Sequence, residues 1–350
     1  MQHERSFWFL LVIAAIAAIV LASLLLRDLS GEAPVFKVDN FMLGTLVEIQ
    51  AWDSKLDEES IRNSIQRAFD SIRAVENAMS VNIEGSFVQK INESAGGPPV
   101  AVSDPVISVI EEANRISELS DGAFDITIGA ICHLWDSSSE TGSRAPAPDV
   151  IAEGLLNVDY SRIEVSATEG VVRLPETGMW IDLGGLAKGY AIDAAAAALR
   201  NSGLTNFIVN GGGDMAIAGV RPNGGKWRIG VRHPRKPGEQ ICTIGLSDLA
   251  VVTSGDYERF FEFNGKRYHH IMDPKTGYPA NKCQSVTIVA KEAMLADALA
   301  TAVFVMGPDA GLRLIDSMPG IEALIVDAEG HNSHSNGFRR FLLDGPLKLQ

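Results

Sequence analysis

One long apolar run stands at the start of the chain, and alternating apolar and polar positions follow it. Residues 7–26 read FWFLLVIAAIAAIVLASLLL and are interrupted only by Ser23. At about 1.5 Å per helical residue, such a run spans about 30 Å, the thickness of the hydrocarbon core of a bilayer. The run ends in Leu24–Arg27 and not in a small-x-small cleavage site, so we favour an uncleaved signal anchor over a cleaved signal or a buried helix. We expect a membrane-spanning helix and a short tether in residues 1–33, and one globular domain in residues 34–350.

Helical periodicity marks several segments of the globular part. Between residues 56 and 79, apolar side chains recur every three or four positions, which predicts an amphipathic helix. Asp104 and Pro105 form a cap and a first-turn proline, and they predict a helix that ends near Leu119. The pattern predicts further helices over residues 185–203, 294–306 and 309–317.

Short apolar runs predict strands, most of which come later in the chain. We expect strands over residues 206–210, 215–220, 227–231, 241–246, 250–253, 285–290 and 322–326. Residues 96–99 and 137–148 are rich in Gly, Ser and Pro and predict loops. Because most helices precede most strands without regular βαβ alternation, we predict an α+β fold with a single compact domain, a largely antiparallel sheet and flanking helices.

Composition excludes several classes of protein. The chain has 30 Lys and Arg against 44 Asp and Glu, a net charge of −14, and an acidic protein lacks the basic face that nucleic-acid binding requires. A hydrophobic content of 46% excludes a disordered chain. The three cysteines, Cys132, Cys242 and Cys283, are scattered and show neither zinc-ligand spacing nor a disulfide framework.

Two glycine-rich segments are candidates for binding phosphate groups. Residues 182–191 read DLGGLAKGYA, a turn that enters a helix and carries one lysine. Free N–H groups at a helix N-terminus with a nearby cation suit a phosphate or diphosphate, although tight helix packing also explains the glycines. Residues 210–215 read NGGGDM, which fits either a close approach to a ligand or a hairpin turn.

Two later segments offer acid–base and metal chemistry. His269 and His270 precede a turn at Asp273–Gly277, and a histidine is suited to accept a proton near neutral pH. Asp297 and Thr301 are four residues apart in a predicted helix and therefore share a face. Their oxygen donors suit Mg²⁺, while polar capping at a helix start is the alternative explanation.

In their order along the chain, these segments resemble the FAD:protein FMN transferase family (ApbE-like). Together with LGT at Leu43–Thr45 and DGAFDITIG at residues 121–129, the resemblance covers about residues 37–343. The motifs that carry it are DLGGLAKGYAID, NGGGDM, TSGDYERFF, HIMDPKTGYP and ADALAT.

The resemblance implies a function, partners and a location. Members transfer FMN from FAD to a Thr or Ser hydroxyl of a target flavoprotein, release AMP and require Mg²⁺, with Mn²⁺ as an alternative. The implied targets are extracytoplasmic flavoprotein subunits of membrane redox complexes. Combined with the signal anchor, this implies a single-pass protein of the cell inner membrane with its catalytic domain in the periplasm.

The resemblance also implies roles for individual residues. The implied flavin contacts are Leu43, Asn82, Ala123, Phe124, Asp125, Asp182, Lys188 and Ile271. The implied metal ligands are Asp297, Thr301 and the backbone carbonyl of Gly185. His270 is the implied base for the attacking hydroxyl, and Asp297 acts in catalysis through the metal.

Three positions depart from the family pattern and keep alternatives open. Leu43 replaces the usual Met, and Ala300 stands where some members carry a carboxylate. Asn82 stands where many members have Tyr, and loss of an aromatic cover exposes a flavin pocket to water. This favours, as an alternative, an FAD diphosphatase that forms FMN and AMP, or a dual hydrolase and transferase. A non-catalytic flavin-binding protein is a third interpretation, and it leaves Asp297 and Thr301 without a purpose.

Overall fold

The computed structural model describes residues 34–140, 145–263, 266–343 and 347. The strands are β1 (Phe36–Met42), β2 (Thr45–Trp52), β3 (Val100–Ala101), β4 (Glu164–Ser166), β5 (Val171–Arg173), β6 (Asn206–Gly211), β7 (Asp214–Ala218), β8 (Trp227–Arg232), β9 (Gln240–Leu246), β10 (Ala250–Gly255), β11 (Phe260–Phe263), β12 (Lys266–His269), β13 (Cys283–Ala290), β14 (Glu322–Asp327) and β15 (Asn332–His334). The helices are α1 (Glu58–Met79), α2 (Phe87–Glu93), α3 (Asp104–Leu119), α4 (Gly129–Glu140), α5 (Pro148–Leu155), α6 (Ala187–Asn201), α7 (Ala293–Met306) and α8 (Pro308–Asp316).

Within this part of the chain, eight strands form one sheet in the order β1-β2-β6-β7-β10-β13-β14-β15. Every neighbouring pair in it is antiparallel. The prediction of a single α+β domain with a largely antiparallel sheet is therefore confirmed. The expectation that helices come first was wrong at the start, because β1 and β2 precede α1. Val47, Ile49 and Ala51 alternate with more exposed residues in β2, which is the period of a half-buried strand.

Both faces of the sheet are covered, and this explains its apolar central strands. Val209 of β6 belongs to the core shared with α1, α6 and α7, whereas its neighbour Ile208 belongs to the core under the β8–β9 hairpin. Each residue of β13 is buried, because the helices cover one face and the hairpin the other. Helices α1, α6 and α7 therefore pack against one face of the sheet, and the β8–β9 hairpin packs against the other.

Helices α6 and α7 approach each other closely at Gly189. A Cβ atom on Gly189 would lie 2.3 Å from the carbonyl oxygen of Ala293, so a larger residue would push the helices apart. Four residues further along α6, Asp193 accepts hydrogen bonds from the N–H groups of Ala293 (2.9 Å) and Met294 (2.8 Å). Asp193 thus caps the N-terminus of α7 from a neighbouring helix.

The predicted loop at residues 137–148 begins later than expected. Helix α4 continues through Glu140, since the serines at 137–139 lower helix propensity only slightly. Pro148 opens α5 at its first turn, where a missing N–H costs nothing. The helices predicted over 104–119 and 294–306 agree with α3 and α7 to within one residue.

The predicted membrane helix lies outside the described residues. Among the helices that the structure does describe, none has the length and apolar character needed to cross a membrane.

The Asp193 cap predicts a pH-dependent contribution to stability. Burial raises the pKa of Asp193 from 3.8 to about 6. Because the folded protein holds this proton more tightly than the unfolded chain, the contribution of Asp193 to the free energy of unfolding falls as the pH rises through this range. We expect the stability of the wild type relative to Asp193→Asn to be greater near pH 4.5 than near pH 7.5, measured by urea unfolding at about these two pH values.

The exposed Asp309, in the first turn of α8, provides the matched control. Asp309→Asn is expected to give the same difference at both pH values. A wild-type advantage over Asp193→Asn that grows with rising pH would contradict the assignment.

Candidate functional site

Polar groups from distant parts of the chain meet at one end of the sheet. The β1–β2 turn lies beside the β6–β7 turn, where the N–H of Gly212 donates to the carbonyl of Leu46 at 3.1 Å. Near its start, β10 pairs with the start of β7 through Val251 and Met215, so the later residues of β10 continue past the β6–β7 turn. Helix α6 begins over this edge, and the predicted site residues are distributed around it.

The NGGGDM segment forms a tight hairpin. Gly212 and Gly213 have φ values of +67° and +111°, which favour glycine. A Cβ on Gly212 would also lie 2.6 Å from Oγ1 of Thr45. The hairpin-turn explanation of the glycines is therefore confirmed, and the turn delivers Asp214 as the first residue of β7.

Lys188, in the first turn of α6, forms an ion pair with the buried Asp214 carboxylate. The other Asp214 oxygen accepts a hydrogen bond of 2.9 Å from the N–H of Thr253. The sequence motifs predicted a role for Lys188 but not for Asp214. The signal that could have found it is a carboxylate directly after the triple glycine, in the same set of ordered motifs.

Asp297 and Thr301 lie on one face of α7, as their spacing requires. Asp297 is buried, and its Oδ2 accepts a hydrogen bond of 2.9 Å from the N–H of Gly189. Burial raises the pKa of Asp297, against the opposing effects of the Lys188 charge, the Gly189 N–H and the Arg259 charge. The Gly189 contact thus holds Asp297 directly against the start of α6.

Gly185 and Thr301 are neighbours in space. A Cβ added to Gly185 would lie 3.7 Å from the hydroxyl oxygen of Thr301 and 2.9 Å from Cε2 of Phe124. The Thr301 hydroxyl is also 3.4 Å from Oγ of Ser254, which belongs to the TSGDYERFF motif and had no predicted role. The structure therefore brings two implied metal ligands and one implied flavin contact to the same place.

Oxygen donors dominate this cluster, and they fit a divalent cation. A carboxylate, a hydroxyl and a backbone carbonyl are ligands that Mg²⁺ prefers, and Mg²⁺ normally keeps several waters. A different set of ligand atoms, on Asp327, Glu329 and His331, lies largely exposed near β15, where His331 already hydrogen-bonds to Asp327. Asp297 and Thr301, and not the group at Asp327, therefore lie beside Gly185 and Gly189 at the start of α6.

Asp125 orders the loop in which it stands. Its Oδ1 accepts bonds from the N–H (2.7 Å) and the hydroxyl (2.6 Å) of Thr127, and its Oδ2 accepts from the N–H of Tyr160 at 3.0 Å. Burial raises its pKa, and these hydrogen bonds oppose that shift. Ala123 and Phe124, just before it, are buried in the main core. The structure therefore gives Asp125 a local role in shaping the loop, which the motif alone did not reveal.

The remaining flavin-side residues occupy turns and a strand end. Asp182 accepts from the N–H of Gly184 at 2.7 Å and so shapes the turn before α6. Leu43 has a φ of +55°, and its N–H donates to Oε1 of Glu76 at 2.7 Å. Ile271 is buried, whereas Asn82 is exposed in the loop after α1.

The two adjacent histidines have different environments. His269 is buried, accepts from the N–H of Ile271 at Nδ1 (3.2 Å) and therefore donates from Nε2 to the carbonyl of Ala280 (2.7 Å). Both of its nitrogens are occupied, and burial lowers its pKa. His269 is thus a structural residue.

One ring nitrogen of His270 has no hydrogen-bond partner among the residues that the structure describes. Its Nδ1 lies 3.2 Å from the carbonyl of Arg259, and because a carbonyl only accepts, Nδ1 carries the hydrogen and Nε2 keeps its lone pair. Burial, assisted by the charge of Arg259, lowers the pKa of His270 to about 4. The charge of Lys188 also contributes, which places His270 near the start of α6. The imidazole is therefore neutral at pH 7 and suited to accept a proton at Nε2.

Comparison with known proteins identifies relatives over most of the chain. The model of the "ApbE family" matches residues 43–325. A FAD:protein FMN transferase of Treponema pallidum is 33% identical over 300 residues, which cover 81% of this chain and 82% of that protein. The crystal structure of the ApbE protein from Thermotoga maritima aligns with a TM-score of 0.81 at 36% identity, over 89% of this chain and 100% of that one. The flavin transferase ApbE from Vibrio cholerae aligns with a TM-score of 0.76 at 28% identity, over 88% and 100%.

Proposed function

The chain belongs to the ApbE family and is a flavinyltransferase with FAD as substrate, and we propose that it transfers FMN to a Thr or Ser hydroxyl of a target flavoprotein and releases AMP. The observation that carries this proposal is the meeting of Lys188, Asp297 and Thr301 with a neutral histidine at one end of the sheet. A diphosphate needs positive charge beside its oxygens, and a hydroxyl needs a base.

The proposed reaction is a displacement at the FMN phosphorus. The acceptor hydroxyl oxygen forms a bond to that phosphorus, and the bond from the phosphorus to the bridging oxygen breaks. The hydroxyl proton passes to Nε2 of His270, and AMP leaves with the bridging oxygen and its electron pair. A well-placed base contributes about 10²–10⁴-fold to such a step.

We propose that Asp297, Thr301 and the Gly185 carbonyl hold Mg²⁺, or Mn²⁺ in its place. When bound, such an ion neutralises charge on diphosphate oxygens. Lys188 is proposed to bind the same diphosphate, with Asp214 fixing the position of its ammonium group. Leu43, Asn82, Phe124, Asp182 and Ile271 are proposed to surround the flavin half of FAD. Ala123 and Asp125 complete this set by shaping the loop that carries Phe124.

The assignment of Asp297 and His270 predicts two different defects. Asp297→Ala removes a carboxylate ligand, so transfer should be lost at ordinary Mg²⁺ concentrations. His270→Ala should lower transfer by about 10²–10⁴-fold and leave FAD binding unchanged. The measurement is mass spectrometry of a coexpressed periplasmic flavoprotein, scored for added FMN on Thr, with FAD binding followed by flavin fluorescence.

His331→Ala is the matched control, because His331 is exposed in the turn between β14 and β15. It is expected to transfer FMN at the wild-type rate. Wild-type transfer by Asp297→Ala would remove the metal assignment, and wild-type transfer by His270→Ala would remove the base assignment.

Hydrolysis of FAD is a second candidate activity, and the exposure of Asn82 to solvent favours it. A polar, solvent-accessible residue there leaves room for water to replace the acceptor hydroxyl. We expect the wild type to release AMP from FAD and Mg²⁺ without an acceptor. Asn82→Tyr should lower this release relative to transfer, measured by chromatography of AMP in both reactions.

Gln89→Tyr is the control for adding an aromatic ring nearby, since Gln89 lies in α2 just beyond the same loop. Absence of AMP release by the wild type would reject hydrolysis. A non-catalytic flavin carrier is disfavoured by membership of a transferase family; it would keep bound FAD intact when Mg²⁺ is added.

We propose that residues 1–33 anchor the protein in the inner membrane and that the domain faces the periplasm, where it modifies flavoprotein subunits of membrane redox complexes. The apolar run at residues 7–26 supports the anchor. The full chain should remain in the membrane fraction after carbonate washing and be digested by protease added to spheroplasts. A variant that begins at residue 34 should be recovered in the soluble fraction. Recovery of the full chain as a soluble protein would contradict the anchor.

A further inference from the structure

Most cations around the candidate site are paired with carboxylates. Arg235, for example, makes two bonds of 2.7 and 2.6 Å to Asp256. The other pairs near the site are Lys188 with Asp214, Lys275 with Asp121, and Arg267 with Asp256 and Glu262. Pairs of this kind contribute little net positive charge to an incoming anion, because each carboxylate offsets its cation.

Arg259 differs from these cations. It follows β10 and precedes β11, its side chain is exposed, and within the described ranges no carboxylate lies within ion-pair distance of its guanidinium. In a chain with 44 acidic and 30 basic residues, a cation left without a carboxylate beside a candidate site indicates a place for an anionic ligand.

The backbone of Arg259 is fixed against the proposed base. Its carbonyl accepts the backbone N–H of His270 at 3.3 Å and the ring Nδ1–H at 3.2 Å. The guanidinium charge acts on both His270 and the buried Asp297, and it favours a lower pKa for each. The same residue therefore lies close to the base and to the carboxylate proposed to hold the metal.

We propose that Arg259 is a further catalytic residue, whose guanidinium binds the oxygens of the phosphoryl group that moves from FAD to the acceptor. This inference rests on the proposed function. In an in-line displacement the base and the nucleophile lie on one side of the phosphorus, and the AMP leaving group lies on the other. A side chain anchored beside His270 is therefore closer to the transferred phosphoryl group than to AMP.

A guanidinium suits this role better than an ammonium. Its planar donors can bind two phosphate oxygens at once, and it keeps its charge at all working pH values. Arg259 keeps its protons throughout, while the acceptor proton goes to His270 as described above. The two cations thus act differently, because Lys188 with Asp214 positions the diphosphate, whereas Arg259 without a carboxylate partner adds net positive charge.

Three variants test the proposal with purified protein, FAD, Mg²⁺ and an acceptor flavoprotein. Arg259→Ala should lower kcat by about 10²–10³-fold with little change in the KM for the acceptor, the loss typical of one transition-state donor. Arg259→Lys keeps the positive charge but cannot bind two phosphate oxygens with planar donors, so its kcat should fall less than that of Arg259→Ala. Free guanidinium ion at non-denaturing concentration should restore part of the activity of Arg259→Ala and none of that of His270→Ala. The backbone contact to His270 remains in both Arg259 variants.

Arg232→Ala is the control, since Arg232 is exposed and pairs with Glu258, the neighbour of Arg259. It should keep the wild-type kcat. An unchanged kcat in Arg259→Ala overturns the inference, as does a raised KM for the acceptor alone, which would instead mean that Arg259 binds the acceptor protein. If circular dichroism shows that Arg259→Ala does not fold, the test rests on Arg259→Lys. A wild-type kcat in Arg259→Lys would overturn the proposal that the guanidinium binds the phosphoryl oxygens. Failure of the wild type to transfer FMN would reject the proposed function itself.

Discussion

The contact between α6 and α7 at Gly189 is the constraint on which the site depends. Only a residue without a side chain lets the two helices approach so closely at this point. The approach brings the Gly189 N–H to Asp297 and lets Asp193 cap the helix that carries Asp297 and Thr301. One crossing therefore sets the positions of two oxygen donors relative to Lys188, the residue before Gly189.

The site holds two buried carboxylates, Asp214 and Asp297, and Lys188 is a cation that acts on both. Asp214 and Asp297 are both almost inaccessible to water, and burial of a carboxylate is costly unless positive charge or N–H donors compensate. Lys188 serves both carboxylates, directly for Asp214 and through its field for Asp297. The proposed Mg²⁺ would add positive charge beside these carboxylates, on the side where the diphosphate is proposed to bind.

Local patterns predicted the elements well, and tertiary pairing decided what they missed. The four-residue spacing of Asp297 and Thr301 placed both on one helix face, because that depends on helix geometry alone. Asp214 was missed because its partner Lys188 lies 26 residues earlier in the sequence, and the two meet only in the folded structure. The bonds to Thr127 and Tyr160 that occupy Asp125 likewise depend on loop shape. His269 and His270 differ in their hydrogen-bond partners, which cannot be predicted from two adjacent histidines in the sequence.

Main-chain groups, and not side chains, orient both histidines. The carbonyls of Arg259 and Ala280 and the N–H of Ile271 supply the bonds that choose each tautomer. Every amino acid carries a carbonyl and all but proline carry an N–H, so the imidazoles keep their orientation while the surrounding sequence drifts over generations. This form of anchoring is robust to mutation, because it does not depend on which side chains the neighbouring residues carry.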